Sequence, residues 1–502
     1  MSGPAPVPVP AALTIEPDVL DTERAGSLVV RGGAWRVGGY VVGTLISLVG
    51  VALVTRHLGV GQYGQYQTVL ALLTVVAAVT DGGMATFGLR EYSQRSSTDR
   101  DDLMATLLGL RLALTTVGIL IALLIGAIAG YSGQLELGIL LAGFGLLLAV
   151  LQTTLAIPLN AQLRIGTVAA LDTGRQILTV IGFVIFVVVG AGVVAFLAVP
   201  IPVGLILLAA TAWYVRGLIP LVPQVRMAAW IGLLKATAAF AAATAAGAIY
   251  VYTAMILTSF VAGAEQTGLF AVSFRVIVVA AAVPGLIVGV AFPVLARAAR
   301  DDRNRLAYAL RRLFDVSVLL GTASVIGLVL GAPFIIELIA GPKFAGAVGV
   351  LRIQAFALLA SFLLATWGFG LLSMHRHRAL LISNLIALAL CAGLVLILAQ
   401  SDGARGAALA TVVCEAVLAL CYGVSLTRGH RDLRPQVWIV ARVAAAAVPA
   451  CAIALVSGLS SLPQAVLALA IYAGLALAFR AVPGELAELL PPGLRDRIPG
   501  LR

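Results

Sequence analysis

Residues 316–338 read VSVLLGTASVIGLVLGAPFIIEL, and residues 348–371 read VGVLRIQAFALLASFLLATWGFGL. Each run is longer than the roughly 20 apolar residues that a helix needs to cross a bilayer. Six arginines precede the first run within residues 297–312, only Lys343 lies between the runs, and two arginines follow within residues 374–378. Because cytoplasmic loops carry the excess of Lys and Arg, this pattern predicts a transmembrane hairpin whose connecting turn lies outside.

The same pattern continues through all 502 residues, which have a mean hydropathy of +1.07 and only 11% charged residues. Soluble domains carry about 25% charged residues, so the composition excludes a soluble protein. We predict an all-α polytopic membrane protein with about 14 transmembrane helices. The predicted spans 1 to 14 cover residues 37–55, 67–88, 103–129, 136–157, 169–190, 193–214, 238–259, 269–292, 316–338, 348–371, 380–399, 407–426, 437–456 and 463–479.

The basic residues also predict which side of the membrane each gap faces. With the N-terminus in the cytoplasm, the gaps after even-numbered spans hold eighteen basic residues, and those after odd-numbered spans hold three, Arg56, Lys343 and Arg405. This split follows the positive-inside rule and predicts that both termini are cytoplasmic. The net charge of +11 therefore borders the membrane, which indicates anionic membrane lipids rather than nucleic acid as the partner.

A short internal repeat connects the two halves of the chain. Residues 59–66 read GVGQYGQY and residues 263–270 read GAEQTGLF, so Gly, Gln, Gly and an aromatic residue match at an offset of 204. Six predicted spans separate the copies, and an even number keeps them in the same orientation. We therefore predict two six-helix lobes related by a pseudo-two-fold axis along the membrane normal, plus two extra helices.

This organisation divides the chain into six predicted segments. They are a disordered cytoplasmic tail at 1–29, an N-lobe of spans 1–6 at 30–215, a cytoplasmic linker at 216–236, a C-lobe of spans 7–12 at 237–430, spans 13–14 at 431–480, and a cytoplasmic tail at 481–502.

Several stretches together resemble the bacterial polysaccharide and lipid-linked oligosaccharide flippases of the multidrug/oligosaccharidyl-lipid/polysaccharide exporter (MOP) superfamily. They are VTRHLGVGQYGQY at 54–66, DGG at 81–83, GLRE at 88–91, GLFAVSFR at 268–275, FPVLA at 292–296 and GPKF at 341–344. The resemblance implies movement of an undecaprenyl-diphosphate-linked glycan from the inner to the outer leaflet by alternating access, in a bacterial cell membrane. Many relatives carry an acidic residue in span 7 near Tyr252 and Thr253, and this chain has none there.

Two other functions compete with a flippase. A multidrug or ion antiporter of the same superfamily would need acidic residues for cationic drugs, whereas this chain places arginines within its spans. An integral-membrane enzyme of glycan assembly would need catalytic loops outside, and the predicted outer loops are all short. A scaffolding protein with a degenerate transporter fold is a third reading that the sequence leaves open.

The chain is predicted to be no enzyme and to need no cofactor or metal. It contains no G-x-x-x-x-G-K-[ST] sequence, so it has no built-in ATPase. His375 and His377 lack the further ligands that a metal site requires. A coupling ion, H⁺ or Na⁺, or the gradient of the lipid substrate itself would have to drive transport, and polysaccharide polymerase or other assembly machinery is a candidate partner.

Charges inside the predicted spans mark candidate site residues, because a charge at the bilayer centre costs about 2.5–3.5 kcal/mol on insertion scales. Arg111 and Arg275 come from opposite predicted lobes, and Arg binds phosphate bidentately. They are therefore candidates for binding an anionic substrate. The alternative is a structural interhelical pair with Asp81 or Glu415.

Asp81 and Glu415 are also the candidates for carrying a coupling ion, because a buried carboxylate can change protonation during a transport cycle. Arg36, Arg56 and Arg90 lie at span ends. They are candidates for guiding an anionic head group at the two mouths, or for anchoring helix ends.

Overall fold

The computed structural model describes residues 23–162, 164–218 and 222–482, with side chains described from residue 43 onward apart from scattered positions. Of the predicted tails, residues 1–22 and 483–502 lie outside these ranges, whereas residues 23–29 belong to the helix that begins at Glu23. Within them the chain forms α-helices and no β-strand. The predicted all-α class is confirmed.

The helices follow one another with few residues between them. They are α1 (Glu23–Asp81), α2 (Met84–Gln94), α3 (Ser97–Ile128), α4 (Gly133–Leu155), α5 (Ile157–Ala161), α6 (Ile165–Val189), α7 (Val193–Ala198), α8 (Pro200–Val215), α9 (Met227–Val261), α10 (Gly263–Asp301), α11 (Arg303–Ala340), α12 (Ala347–Ser373), α13 (His377–Thr427), α14 (Trp438–Val456) and α15 (Ser461–Ala478).

Twelve helical segments of the described residues are long and apolar enough to cross a membrane. Two of them change direction in the middle, α1 at Gly59 and α13 at Asp402 and Gly403, where the backbone leaves helical geometry. Each of these two therefore crosses twice, which gives the fourteen predicted spans. The chain is a multi-pass membrane protein.

The connection between spans 1 and 2 is shorter than the sequence suggests. The predicted spans leave a gap at residues 56–66, but the helix resumes directly after Gly59, where a φ of 72° and a ψ of −178° break the helical geometry. Glycine adopts this backbone conformation without the steric cost of a Cβ. Gly263, the equivalent residue of the repeat, begins α10 and also has a positive φ, of 81°.

The two repeat segments cross each other at close range. A Cβ atom on Gly64 would lie 1.8 Å from the carbonyl oxygen of Ala264, and one on Gly268 would lie 2.1 Å from that of Val60. Gly64 and Gly268 are equivalent at the offset of 204, and so are Val60 and Ala264. Such a reciprocal contact is the signature of a two-fold axis, so the predicted pseudo-symmetry is confirmed where the two halves meet.

The last two helices form an addition to this arrangement. A separate cluster of buried apolar residues joins α14 and α15 to one face of α11. The Tyr472 hydroxyl donates a hydrogen bond of 2.9 Å to the Leu319 carbonyl oxygen there. The helix ends near Gly59, Gly263 and Gly341 carry few basic residues, and we call this the arginine-poor end of the protein. The opposite end is the arginine-rich end.

The glycine crossing predicts a selective effect of added methyl groups. Gly64→Ala or Gly268→Ala places a Cβ inside the van der Waals radius of a backbone oxygen, so the halves must separate. We expect a loss of about 1–3 kcal/mol of stability, the usual cost of overpacking, seen as a lower Tm in detergent.

The matched control is Gly61→Ala, because nothing lies within 4 Å of a Cβ at that position. An equal Tm for all three variants would contradict the close crossing.

Candidate functional site

At the arginine-poor end, span 1 binds the C-terminus of a helix from the second half of the chain. Arg56 Nη2 donates to the carbonyl oxygens of Glu337 and Leu338 at 3.3 and 2.9 Å, and Thr55 Oγ1 donates to that of Ile339 at 3.0 Å. The last carbonyls of a helix have no intrahelical partner, and a cation there also complements the helix dipole. Arg56 is therefore an interhelical cap in this conformation.

Aromatic side chains close the same end. The Tyr63 ring is fully buried and packs edge-on against Phe344 at a centroid distance of 5.9 Å, and the Tyr66 ring stacks with it at 6.2 Å. Tyr63 belongs to the motif at 54–66 and Phe344 to the motif at 341–344. The motifs of the two halves thus meet at one contact.

Arg275 lies deeper in the same interface and links the two halves directly. It is half-buried, and its Nη2 donates a hydrogen bond of 2.5 Å to Ser47 Oγ on span 1. Ser47 precedes Gly59 by twelve residues, and Arg275 follows Gly263 by twelve. At 1.5 Å per residue, both lie roughly 18 Å from the arginine-poor end, near the middle of the membrane.

The Arg275 guanidinium keeps unused hydrogen-bonding capacity. Its Nε has no hydrogen-bond partner among the described residues, although it is buried. Arg carries five N–H donors and no acceptor, and no carboxylate in the described part of the chain forms an ion pair with Arg275. A positive charge near mid-membrane is therefore held at the interface by a neutral hydroxyl.

Arg111 has the opposite environment. It is 3% exposed, its Nη2 lies 2.5 Å from Asp81 Oδ1, and its Nη1 donates to Thr154 Oγ1 at 2.9 Å. The other Asp81 oxygen accepts from the Gly83 backbone N–H at 3.2 Å. All these groups belong to the first half of the chain, so Arg111 forms the interhelical ion pair that was the alternative to substrate binding.

Glu415 contacts a helix that lacks its own acidic residue. It lies on the second arm of α13, where it accepts a hydrogen bond of 3.2 Å from the Tyr250 hydroxyl of α9. Span 7 is part of α9, so a carboxylate from span 12 lies beside a span that has no acidic residue of its own.

The linker between the halves is fixed to span 3 at the arginine-rich end. Arg226 Nη1 lies 2.7 Å from Asp102 Oδ2, and the Gln224 backbone N–H donates to the Ala105 carbonyl oxygen at 2.9 Å. A Cβ on Gly109 would lie 2.3 Å from the Gln224 carbonyl oxygen. A cavity of about 360 Å³ lies beside this contact, between α2, α3 and the start of α9.

The structure therefore separates the sequence-predicted site residues instead of gathering them. Arg111 and Asp81 form one pair, Arg275 and Glu415 have partners elsewhere, and Arg90 is exposed on α2. The side chain of Arg36 lies outside the described residues.

Three contributors were missed by sequence reasoning. Ser47 and Thr55 are uncharged, and Asp102 lies in the gap between predicted spans 2 and 3, outside the charges that the spans single out, although it pairs with the linker. The described residues contain no group of three or more His, Cys, Asp or Glu that could hold a metal ion.

The sequence of the chain matches a protein family, and its fold matches several solved structures. The family model described as polysaccharide biosynthesis protein matches residues 29–299. No curated protein sequence matches the chain.

Among solved structures, the lipid II flippase MurJ in an inward closed conformation is similar at a TM-score of 0.73 and 13% identity, over 88% of this chain and 98% of its own. An inward-facing multidrug resistance transporter of the MATE family and MOP superfamily is similar at 0.60 and 16% identity, over 78% and 94%. A MOP superfamily transporter from Pyrococcus furiosus reaches 0.52 and 15%, over 79% and 93%. The chain therefore shares its fold with these proteins.

The buried pair predicts an asymmetric response to mutation. Asp81→Ala leaves the buried Arg111 charge without its counter-ion, and since Asp81 is 37% exposed, the cost should lie below the about 3–5 kcal/mol of a fully buried pair. We expect a large drop in Tm and in the amount of folded protein.

The double variant Asp81→Ala/Arg111→Met should recover much of that loss, because no unpaired charge remains. Thermal unfolding of both variants in detergent measures the difference. A double variant as unstable as Asp81→Ala would show that Arg111 contributes more than a partner for Asp81.

Proposed function

The chain belongs to the polysaccharide biosynthesis protein family, and from this premise we propose that it is a flippase for an undecaprenyl-diphosphate-linked oligosaccharide, a precursor of surface polysaccharide. The family model covers more than half of the 502 residues. The fold of the chain is shared with a flippase and with transporters. The substrate is moved from the inner to the outer leaflet by alternating access.

The observation that carries this proposal is the state of Arg275. Its guanidinium lies at the interface of the two halves without a carboxylate partner, and part of its donor capacity is unused. A diphosphate carries the complementary negative charge and can accept two parallel N–H bonds from one guanidinium. The prenyl chain would remain in the surrounding lipid, where it needs no protein pocket.

The contacts at the two ends support an alternating-access cycle. The arginine-poor end is closed by the glycine crossing, the Arg56 cap and the Tyr63–Phe344 contact, all of which join the two halves. The arginine-rich end carries the Asp102–Arg226 ion pair. In the proposed cycle the units at 30–215 and 237–430 rock about the membrane-central region and break one set of contacts at a time.

The direction of transport follows from the proposed topology. The arginine-rich end faces the cytoplasm of a bacterium by the positive-inside rule, with both termini on that side, in the inner membrane. The head group therefore enters past the exposed Arg90 and the Asp102–Arg226 pair. It leaves when Arg56 releases the end of α11.

The same geometry argues against export of cationic drugs. A site for an organic cation needs a carboxylate that is not already neutralised by the protein. Asp81 is paired with Arg111, and the charge at the interface of the halves is the positive one of Arg275. An anionic substrate fits this arrangement better than a cationic one.

Glu415 is the stronger of the two candidates for coupling to H⁺ or Na⁺. Asp81 is paired with the Arg111 guanidinium, whereas the described contact of Glu415 is the neutral Tyr250 hydroxyl. A carboxylate without a cation partner in an apolar region can take up a proton or a metal ion as its surroundings change. Tyr250 lies on span 7, so binding of a coupling ion to Glu415 can change the position of span 7 within the second half of the chain.

We expect Arg275→Gln to reduce flipping roughly ten- to hundred-fold, because a hydrogen bond to a charged group contributes about 1.5–3 kcal/mol. The measurement is flipping of an undecaprenyl-diphosphate-linked oligosaccharide by the purified protein in proteoliposomes. Arg352→Gln is the matched control, since Arg352 lies in a span of the same half but is exposed and donates only to the Val329 carbonyl oxygen. Normal flipping by Arg275→Gln would rule out the assigned role of Arg275.

Glu415→Gln should abolish the response of flipping to an imposed proton or sodium gradient while leaving the Tyr250 hydrogen bond in place. The amide retains an acceptor oxygen but cannot bind or release the ion. Initial flipping rates are compared in proteoliposomes with and without a gradient.

Tyr250→Phe is the control, because it removes the hydrogen bond of 3.2 Å and leaves the carboxylate. It should keep the gradient response. A full response in Glu415→Gln would exclude this residue as the coupling group.

A further inference from the structure

A wide groove opens at the arginine-rich end, away from the interface of the two halves. It encloses about 1100 Å³ and lies between the start of the first arm of α13 and the end of its second arm. Residues 375–386 form one side and residues 420–428 the other. We call it the basic groove. Its volume exceeds the roughly 300–1,000 Å³ of an ordinary small-molecule pocket.

The mouth of the groove is positively charged. Arg376, Arg378 and Arg428 line it together with His375 and His377, and none of the lining residues is Asp or Glu. Arg378 and Arg428 are exposed, so their guanidinium groups are open to a ligand. The N-terminus of α13 begins at His377 and adds the positive end of its dipole.

Arg376 is held in place as part of the groove wall. Its Nη1 donates to the Ser425 carbonyl oxygen at 2.5 Å, and its Nη2 lies 2.6 Å from His430 Nε2. The second ring nitrogen of His430 faces the guanidinium of Arg303. A neutral imidazole can accept at only one nitrogen, so this cluster has more donors than acceptors.

The carboxylate of the adjoining loop does not neutralise the groove. Asp432 lies 2.8 Å from Arg303, and the hydrogen bond from that guanidinium lowers the pKa of Asp432 below its usual range. Asp432 is therefore ionised at neutral pH, but it forms an ion pair with Arg303 and not with the arginines of the groove. The positive charge of the arginines that line the basic groove is therefore not neutralised by Asp432, and it favours an anionic ligand.

Below the charged mouth, the walls of the groove are apolar. Ile382 and Ile386 on one arm and Leu420 and Val424 on the other have between 48% and 63% of their surface exposed. They follow one another at helical spacing away from the arginines and toward the membrane interior. The groove thus changes from cationic to apolar along the membrane normal.

We propose that the basic groove binds one anionic phospholipid of the leaflet at the arginine-rich end, with its phosphate on Arg378 and Arg428 and an acyl chain between Ile382 and Leu420. Basic pockets between transmembrane helices at this depth are suited to anionic head groups. Arginines that only orient a helix in the membrane need no shared cavity. Here the two arms of α13 and the turn before them enclose a cavity. This cavity is cationic at its mouth and apolar below, which matches the head group and the acyl chain of a phospholipid. The site is separate from Arg275, so the proposal does not rest on the flippase function.

The test compares lipid retention by the purified full-length protein in native mass spectrometry. The probes are phosphatidylglycerol and phosphatidylethanolamine with identical acyl chains. Wild-type protein should retain one phosphatidylglycerol in preference to phosphatidylethanolamine. Arg378→Gln/Arg428→Gln should weaken phosphatidylglycerol retention roughly five-fold per arginine, because a basic residue at an anionic surface contributes about 1 kcal/mol.

The matched control is Arg297→Gln/Arg305→Gln, which removes the same charge from two exposed arginines at the same end but outside the groove. It should retain the lipid like wild type. Equal losses in both double variants, equal retention of the two lipids, or displacement by soluble glycerol 1-phosphate at comparable concentration would each overturn the proposal. If the groove variant fails to fold, Arg378→Lys/Arg428→Lys keeps the charge and must keep the preference for phosphatidylglycerol.

Discussion

The contact on which the rest of the structure depends is the crossing of two backbones at Gly64 and Gly268. Each glycine faces a carbonyl oxygen of the other segment at a distance that excludes any side chain. This contact sets how closely span 2 and span 8 approach, and the pseudo-two-fold axis passes beside it. The pairing of Ser47 with Arg275 follows from it, because both residues lie twelve positions from their reversing glycine and so reach the same depth. A larger residue at the crossing would move these partners apart.

The cost of charge inside a membrane explains why Arg111 and Arg275, the two candidate arginines within the spans, differ. Arg111 is buried against its own half, and there a counter-ion and a hydroxyl satisfy it. Arg275 has only a hydroxyl from the opposite half. A guanidinium at this depth without a counter-ion costs several kcal/mol, and this cost falls when an anion binds. The first arrangement stabilises one half of the chain, whereas under the proposed function the second would stabilise the ligand-bound interface selectively.

Much of this architecture could be predicted from the sequence, because spans, sidedness and the repeat depend on composition and spacing. The fourteen spans and the equivalence of Gly59 with Gly263 are of this kind. The partners of the charges could not be predicted in the same way. Whether Arg111 faces Asp81 or a cavity depends on helix rotation, which apolar runs with little amphipathic bias do not specify. Ser47 and Thr55 are ordinary span residues in sequence, and only the packing of α1 against α10 and α11 gives them a role.

The interactions that close the two ends of the protein differ in strength. At the arginine-poor end the contacts are backbone crossings, helix caps and buried rings, which exclude water. At the arginine-rich end, the ion pair of Arg226 and Asp102 is 49% and 58% exposed, and exposed pairs contribute only about 0–1 kcal/mol. The ion pair therefore contributes little to holding this end closed, and the hydrogen bond of 2.9 Å from the Gln224 backbone N–H to the Ala105 carbonyl oxygen is a further contact there. By the positive-inside rule the arginine-rich end faces the cytoplasm, so under the proposed function this conformation is suited to accept an anionic head group from that side rather than to release one to the other.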